Sequence, residues 1–208
     1  KSLSILFLSV ILLSVLLPSK IYLWLVILGC LIWLSLFIRI LLYDNPSMTN
    51  AEIFIAGYLM IVPSLISGII IFDVYAKLLI LILIAVSFAD SSAYFFGKKF
   101  GNKILLKNTS PGKTLEGLIG ASISTPIFLG LISGLVDIKL SGAILFGLII
   151  TPVSFIGDVS FSFIKRSANI KDSSNLIPGH GGFIDLLDGS VASLPFFALL
   201  LMNLSENF

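Results

Sequence analysis

The chain has 208 residues, of which 57% are hydrophobic and 12% are charged, and its formal net charge is +2. Soluble domains carry about twice that fraction of charged residues. The composition therefore excludes an ordinary water-soluble protein. We expect the protein to interact with the lipid bilayer and not with nucleic acid.

Seven apolar runs are candidate membrane helices: 3–17, 21–42, 53–72, 77–96, 117–136, 140–157 and 190–204. About 17–25 apolar residues cross a bilayer as a helix, and lipid cannot satisfy an open backbone. The first run follows Lys1 as in a signal peptide, but no small-residue cleavage motif follows, so we expect a retained span. We predict an all-α, polytopic transmembrane helix bundle of about seven spans. We expect one integrated domain, with N-terminal membrane spans in 1–80 and, in 81–208, the membrane region that carries the polar loops and the candidate catalytic residues described below.

The basic residues predict the orientation of these spans. With seven spans, the N-terminus and the loops 43–52, 97–116 and 158–189 share one face, which holds ten of the thirteen basic residues. Basic loops are enriched on the cytoplasmic side. We therefore expect an integral protein, in a bacterial inner membrane, whose polar loops face the cytoplasm.

Asp90 is an acidic residue inside an apolar span, and Tyr94 lies four residues later on the same helix face. Ionisable groups at membrane depth are costly and mark functional sites by default. A carboxylate that is hydrogen-bonded to Ser87 or Ser91 is the structural alternative.

The loop 97–116 contains five lysines and the run Ser110-Pro-Gly-Lys-Thr114. This run lacks the first glycine of a Walker loop, and we expect no strand before it, so we reject that motif. Gly-Lys-Thr at a helix start can still bind phosphate. We predict that Thr114 caps a helix with Glu116 in its first turn. A basic loop that only sets topology is the alternative.

The segment 158–189 is the densest polar region of the chain. Asp158 and Asp185 are candidate Mg²⁺ ligands, because Mg²⁺ prefers hard oxygen donors. Carboxylates and cations in one pocket suit phosphoryl or nucleotidyl transfer. The candidate catalytic residues are Lys165, Arg166, Lys171, Asp172, His180 and Asp188. For His180, the only histidine, a structural role is equally open, and one His with one Cys cannot build a zinc site.

Three segments together resemble the phosphatidate cytidylyltransferases, also called CDP-diacylglycerol synthases. The resemblance covers about 85–205. The longest segment reads Ser162-x₂-Lys165-Arg166-x₄-Lys171-Asp172-x₄-Ile177-Pro-Gly-His180-Gly-Gly-Phe183-x-Asp185-x₂-Asp188. The other two read Asp90-x₂-Ala-Tyr94-x₂-Gly97 and Ser110-Pro-x-Lys113-Thr114-x-Glu116-Gly117.

The resemblance implies a reaction in which the phosphate of phosphatidic acid attacks the α-phosphorus of CTP. Pyrophosphate leaves and CDP-diacylglycerol forms. The resemblance also implies Mg²⁺ at Asp158 and Asp185, with room for a second, monovalent cation. Substrate contacts are expected from Asp90, Tyr94, Ser110, Lys113, Thr114 and Glu116. A homodimer is compatible with the sequence.

Other functions remain open on the sequence. A CTP-dependent lipid kinase would transfer the γ-phosphoryl group instead, and a relative could act on an ether lipid. An ion-coupled transporter would use Asp90, Asp158 and Asp185 as ion ligands. A catalytically silent scaffold is the last alternative.

Two positions depart from the pattern of the resembled family. Phe161 stands where a glutamate is usual, and Leu186 where an arginine is usual. We hypothesise that an apolar contact replaces an ion pair, because losing both charges together costs less than stranding one. This predicts that the two side chains lie within about 4–4.5 Å of each other.

Overall fold

The computed structural model describes residues 19–136, 138–174 and 181–205. Its helices are α1 (Ser19–Leu42), α2 (Asn50–Phe100), α3 (Leu115–Ile132), α4 (Leu140–Ser167) and α5 (Phe183–Ser205), with a 3₁₀ turn at Ser133–Leu135. Two short strands, β1 (Ile104–Leu106) and β2 (Ser110–Thr114), lie between α2 and α3.

Five helices in the described ranges are long and apolar enough to cross a membrane, which confirms the all-α membrane class. The predicted span 3–17 lies outside the described residues. The total of seven spans therefore stays a prediction.

Helix α2 is broken at Tyr75, whose φ of −156° and ψ of 76° are not helical. Ile61, before the break, shares an apolar pocket with Ile184 near the start of α5. Leu78, after the break, shares a groove with Leu200 near the end of α5. Further along α2, Val86 lies 3.0 Å from the position of a Cβ added at Gly189, so the chain has returned toward the start of α5. The chain therefore reverses at Tyr75, and α2 consists of two legs that run in opposite directions along α5. These legs correspond to the separate candidate spans 53–72 and 77–96.

The loop before α3 forms an antiparallel hairpin in which Ile104 lies opposite Thr114 and Leu106 lies opposite Ser110. The sequence predicts no strand here, and that prediction is wrong. Bonds from outside the strands hold the hairpin: the Glu116 carboxylate accepts hydrogen bonds from the amides of Asn102 (3.0 Å) and Lys103 (3.2 Å). A pattern search along the strands could not detect such contacts.

Small residues bring the site-bearing helices together. A Cβ added at Gly157 of α4 would lie 2.6 Å from both the Ala192 Cβ and the Asp188 carbonyl oxygen of α5. Between α2 and α3, a Cβ at Gly117 would lie 2.6 Å from the Ala93 carbonyl oxygen. Such backbone approaches are characteristic of glycine at membrane helix interfaces. They place the acidic residues of α2, α4 and α5 around one point.

Candidate functional site

A lysine and three carboxylates form the charged centre of the molecule. Lys113 of β2 makes an ion pair with Asp158 of α4, and their side chains are 23% and 19% exposed. Asp90 of α2 and Asp188 of α5 also act electrostatically on Lys113. We call these four residues the charged cluster.

Lys113 is held in the charged form by its surroundings. Burial lowers the pKa of its ammonium, but the three surrounding carboxylates outweigh burial and raise that pKa above its usual value. Lys113 therefore carries a full positive charge at neutral pH. Its ammonium also lies 6.0 Å from the centre of the Phe155 ring, within range of a cation–π contact.

Local structure fixes the position of Lys113. Thr114 is the N-cap of α3, and its hydroxyl oxygen accepts a 3.2 Å hydrogen bond from the Gly117 amide, so the predicted cap is present. The side chain of Lys113 thus leaves the backbone one residue before a helix N-terminus. The positive end of that helix adds to the anion-attracting character of the position.

A cavity of about 210 Å³ opens beside the charged cluster. Five of the six residues predicted to contact substrate line it: Asp90, Tyr94, Ser110, Lys113 and Thr114. The sixth, Glu116, instead fixes the base of the hairpin through its bonds to backbone amides. In the structure Glu116 holds the hairpin in place, and the other five residues line the cavity.

Asp185 binds protein donors with both of its carboxylate oxygens. Oδ1 accepts a 2.8 Å bond from the Lys165 ammonium. Oδ2 accepts bonds from the Ser173 amide (2.7 Å), the Ser173 hydroxyl (2.9 Å) and the Gly182 amide (2.7 Å). Asp185 thereby ties the end of α4 and the segment after it to the start of α5.

Asp188 is in a different position from Asp185, although it is only one helical turn away. It is 7% exposed, and its carboxylate accepts a 2.7 Å bond from the Gly189 amide. The charges of Asp158, Asp90 and Lys165 all act on it. Asp188 therefore belongs to the charged cluster. The sequence predicts a catalytic role for Asp188 and does not include it among the metal ligands.

The remaining candidates are dispersed. Arg166 is partly buried at the end of α4, whereas Lys171 and Asp172 are exposed in the segment that follows. His180 lies outside the described residues. Their predicted catalytic roles stay predictions.

The two departures from the family pattern have different surroundings. Phe161 is 7% exposed and packs edge-on against Trp33, with ring centres 5.5 Å apart. Leu186 is 54% exposed. These surroundings do not test whether the side chains of Phe161 and Leu186 touch each other. The apolar contact between them stays a prediction.

Asp44 was missed by the sequence reasoning, although it controls the hairpin that carries Lys113. Its carboxylate accepts bonds from the amides of Asn108 (2.8 Å) and Thr109 (2.9 Å) and from the Thr109 hydroxyl (2.6 Å). Thr109 is fully buried. The available signal was an acidic residue in loop 43–52, which shares its predicted face with the basic loop 97–116.

A family model described as the cytidylyltransferase family matches residues 1–204, nearly the whole sequence. The chain belongs to this family. Within it, the chain is similar to curated proteins named phosphatidate cytidylyltransferase. It is 42% identical over 128 residues to that of Haemophilus influenzae, covering 58% of this chain and 44% of the relative. It is 39% identical over 128 residues to the protein of Pseudomonas aeruginosa, and the match covers 60% of this chain and 47% of that relative. It is 38% identical over 115 residues to the protein of Bacillus subtilis, and the match covers 54% of this chain and 42% of that relative.

The chain thus spans about half the length of the curated relatives it matches. The shared family fits the chemistry of the cavity. A lysine at a helix N-terminus can neutralise phosphate charge, and neighbouring carboxylates supply hard oxygen donors.

Proposed function

We propose that this cytidylyltransferase transfers the cytidylyl group of CTP to phosphatidic acid. A phosphate oxygen of the lipid forms a bond to the α-phosphorus, the bond between that phosphorus and the bridging oxygen breaks, and pyrophosphate leaves. The observation that carries the proposal is the charged cluster, of which Asp90 and Lys113 line the cavity, in a chain whose relatives are named for this reaction.

Each part of the site has a role in this reaction. The reaction moves negative charge among phosphate groups, so positioning and charge neutralisation are the main tasks of the protein. Lys113 supplies a fixed positive charge at the cavity, and Thr114 and Gly117 at the N-terminus of α3 line the same cavity. Lys165, held by Asp185 at 2.8 Å, adds a second cation near Asp188.

A magnesium ion fits the donor chemistry of the cluster. Within the described ranges, no three Asp, Glu, Cys or His side chains meet closely enough to form a metal centre by themselves. Mg²⁺ needs fewer protein ligands, because it is commonly held by one or two carboxylates together with water and substrate phosphates. We assign Asp158 and Asp188 as the carboxylates that would hold it, where it would neutralise phosphate charge.

The sequence predicts that Asp185 shares this ion with Asp158. Since its oxygens accept bonds from Lys165, Ser173 and Gly182, we now assign it a positioning role. We also propose that a second, monovalent cation raises the reaction rate. Adding K⁺ or Na⁺ to the reaction measures this effect.

We also propose that the protein lies in a bacterial inner membrane with the hairpin and the segment 158–189 on the cytoplasmic side. Water-soluble CTP would then reach the cavity from the cytoplasm, while the lipid stays in the bilayer. A homodimer remains a prediction, to be checked by the mass of the purified protein in detergent.

The deciding experiment is incubation of the purified chain with phosphatidic acid, Mg²⁺ and CTP labelled at the α-phosphate, followed by lipid extraction. Label in the lipid with release of pyrophosphate is the expected result. A parallel reaction of γ-labelled CTP with a lipid alcohol in place of phosphatidic acid tests the lipid-kinase alternative, in which the lipid hydroxyl accepts the γ-phosphoryl group and CDP leaves. No label in the lipid from either nucleotide would contradict both enzymatic functions.

A further inference from the structure

The last turns of α2 carry three aromatic side chains and two lysines on the outside of the molecule. Tyr94, Phe95 and Phe100 are 69%, 59% and 51% exposed, and both lysines are exposed. We call Tyr94, Phe95, Lys98, Lys99 and Phe100 the aromatic–lysine band.

The lysines of the band lie against the aromatic rings. The ammonium of Lys98 is 5.8 Å from the centre of the Tyr94 ring. That of Lys99 is 6.0 Å from the Phe95 ring and 5.2 Å from the Phe100 ring. Tyrosine is enriched at the membrane–water interface, phenylalanine enters the adjoining acyl boundary, and lysines there attract anionic headgroups. The band is therefore built to meet a lipid headgroup layer.

An ordinary membrane anchor would have the same composition, but this band continues into the site. Tyr94 lines the cavity together with Asp90 and Lys113, while its ring also contacts Lys98. Positive charge thus stands on both sides of one exposed tyrosine, at the outer surface and inside the cavity. A negatively charged headgroup attracted by Lys98 would be adjacent to the cavity.

We propose that the aromatic–lysine band is the docking surface for the anionic lipid substrate, and that phosphatidic acid enters the cavity past Tyr94. This inference rests on the proposed function, whose lipid substrate it uses. The ligand chemistry is a phosphate monoester on a membrane lipid, which carries more negative charge than a phosphodiester headgroup. Nucleotide arrives from water and does not need the band.

The test compares two double variants of the full chain in mixed micelles of varying phosphatidic acid content. Lys98→Gln/Lys99→Gln is expected to raise the KM for phosphatidic acid roughly tenfold, because each surface lysine contributes to binding of an anionic lipid. We expect kcat and the KM for CTP to be unchanged. Added salt should raise the KM for the lipid in the unmodified protein and have a weaker effect in the variant.

Lys103→Gln/Lys107→Gln is the matched control, because it removes two exposed lysines from the neighbouring hairpin. It should leave the KM for phosphatidic acid near its original value. An equal rise in both double variants would overturn the proposal in favour of a general charge effect. A rise in the KM for CTP alone would assign the band to the nucleotide.

A second measurement is independent of turnover. Native mass spectrometry should show that the unmodified protein retains phosphatidic acid over phosphatidylcholine, and that Lys98→Gln/Lys99→Gln loses this preference. Retention that is unchanged in the variant would overturn the proposal. If the unmodified protein forms no CDP-lipid, the proposed function fails, while lipid retention still decides whether the band binds an anionic headgroup.

Discussion

Among single residues, Asp185 and Asp188 show how two carboxylates one turn apart acquire different roles. Asp185 is surrounded by donors, since an ammonium, two amides and a hydroxyl bind its oxygens. Asp188 is buried near two other carboxylates. A carboxylate among like charges is costly for the folded protein and is typical of a functional site.

Asp188→Asn is therefore expected to lower kcat by about 100-fold or more, the usual scale for losing one group that interacts with transition-state charge. The protein should remain folded and as stable as before, because the substitution removes repulsion with Asp158 and Asp90. Steady-state kinetics and thermal unfolding in detergent are the measurements. Asp73→Asn, an exposed acid near the break in α2, is the control. Full activity of Asp188→Asn would remove it from the site.

Asp158→Asn should give an even larger loss of kcat, because Asp158 both pairs with Lys113 and is assigned to the metal. We expect the concentration of Mg²⁺ needed for half-maximal rate to rise in this variant. A kinetic titration with Mg²⁺ measures that change. An unchanged Mg²⁺ requirement would contradict the assignment of the ion to Asp158.

At the scale of elements, the contact between α4 and α5 determines whether the cluster forms. The two backbones meet at Gly157, next to Asp158, and a side chain there would overlap the carbonyl oxygen of Asp188. Helix spacing and the separation of the two carboxylates are thus set by the same contact.

Gly157→Ala should destabilise the protein by about 1–3 kcal/mol, the range for overpacking, and should lower activity because α5 is pushed away from α4. Gly57→Ala is the matched control, since a Cβ at Gly57 meets nothing within 4 Å. Thermal unfolding and kcat should separate the two variants. Equal behaviour of both would show that the α4–α5 contact tolerates a side chain.

The hairpin is the second element on which the site depends. Asp44→Ala removes the three bonds that its carboxylate accepts from Asn108 and Thr109. A loss of about 2 kcal/mol of local stability is expected for bonds to a charged group. Trypsin should then cleave faster at Lys103 and Lys107, and kcat should fall because Lys113 is held less firmly. Asn45→Ala, at the exposed neighbouring position, should change neither cleavage nor rate.

For the whole molecule, the main question is which side of the membrane the polar parts occupy. The ion pair between Lys113 and Asp158 shows that the hairpin and the start of the segment 158–189 meet. Asp44 adds the loop between α1 and α2 to the same surface. The predicted excess of basic residues on this face is the basis for our proposal that it lies in the cytoplasm.

Single cysteines at Lys103 and Lys171, in a Cys30→Ser background, test that orientation. A membrane-impermeant thiol reagent should label neither cysteine in intact cells and both after the membrane is opened. Labelling of one cysteine but not the other in intact cells would contradict a shared face. Labelling of both would place that face outside the cytoplasm.

The sequence by itself determined the membrane class and five of the ten residues that line the cavity. Apolar length requires helices in lipid, and the cost of a charge at membrane depth singled out Asp90. The capping role of Thr114 followed from local chemistry, because a hydroxyl at that position needs only an amide three residues later.

Only the tertiary structure decided which groups surround each carboxylate. Asp158, Asp185 and Asp188 have the same chemistry, and their spacing did not show that donors surround Asp185 while Asp188 is buried among the charges of Asp158, Asp90 and Lys165. The hairpin and the role of Asp44 were also invisible, because they depend on bonds between residues more than sixty positions apart. Local sequence patterns indicate whether a segment lies in lipid or in water and which secondary structure it forms. Which residue pairs with a given charged side chain depends on how closely two helices approach each other. In this protein, contacts such as the one at Gly157 fix that distance.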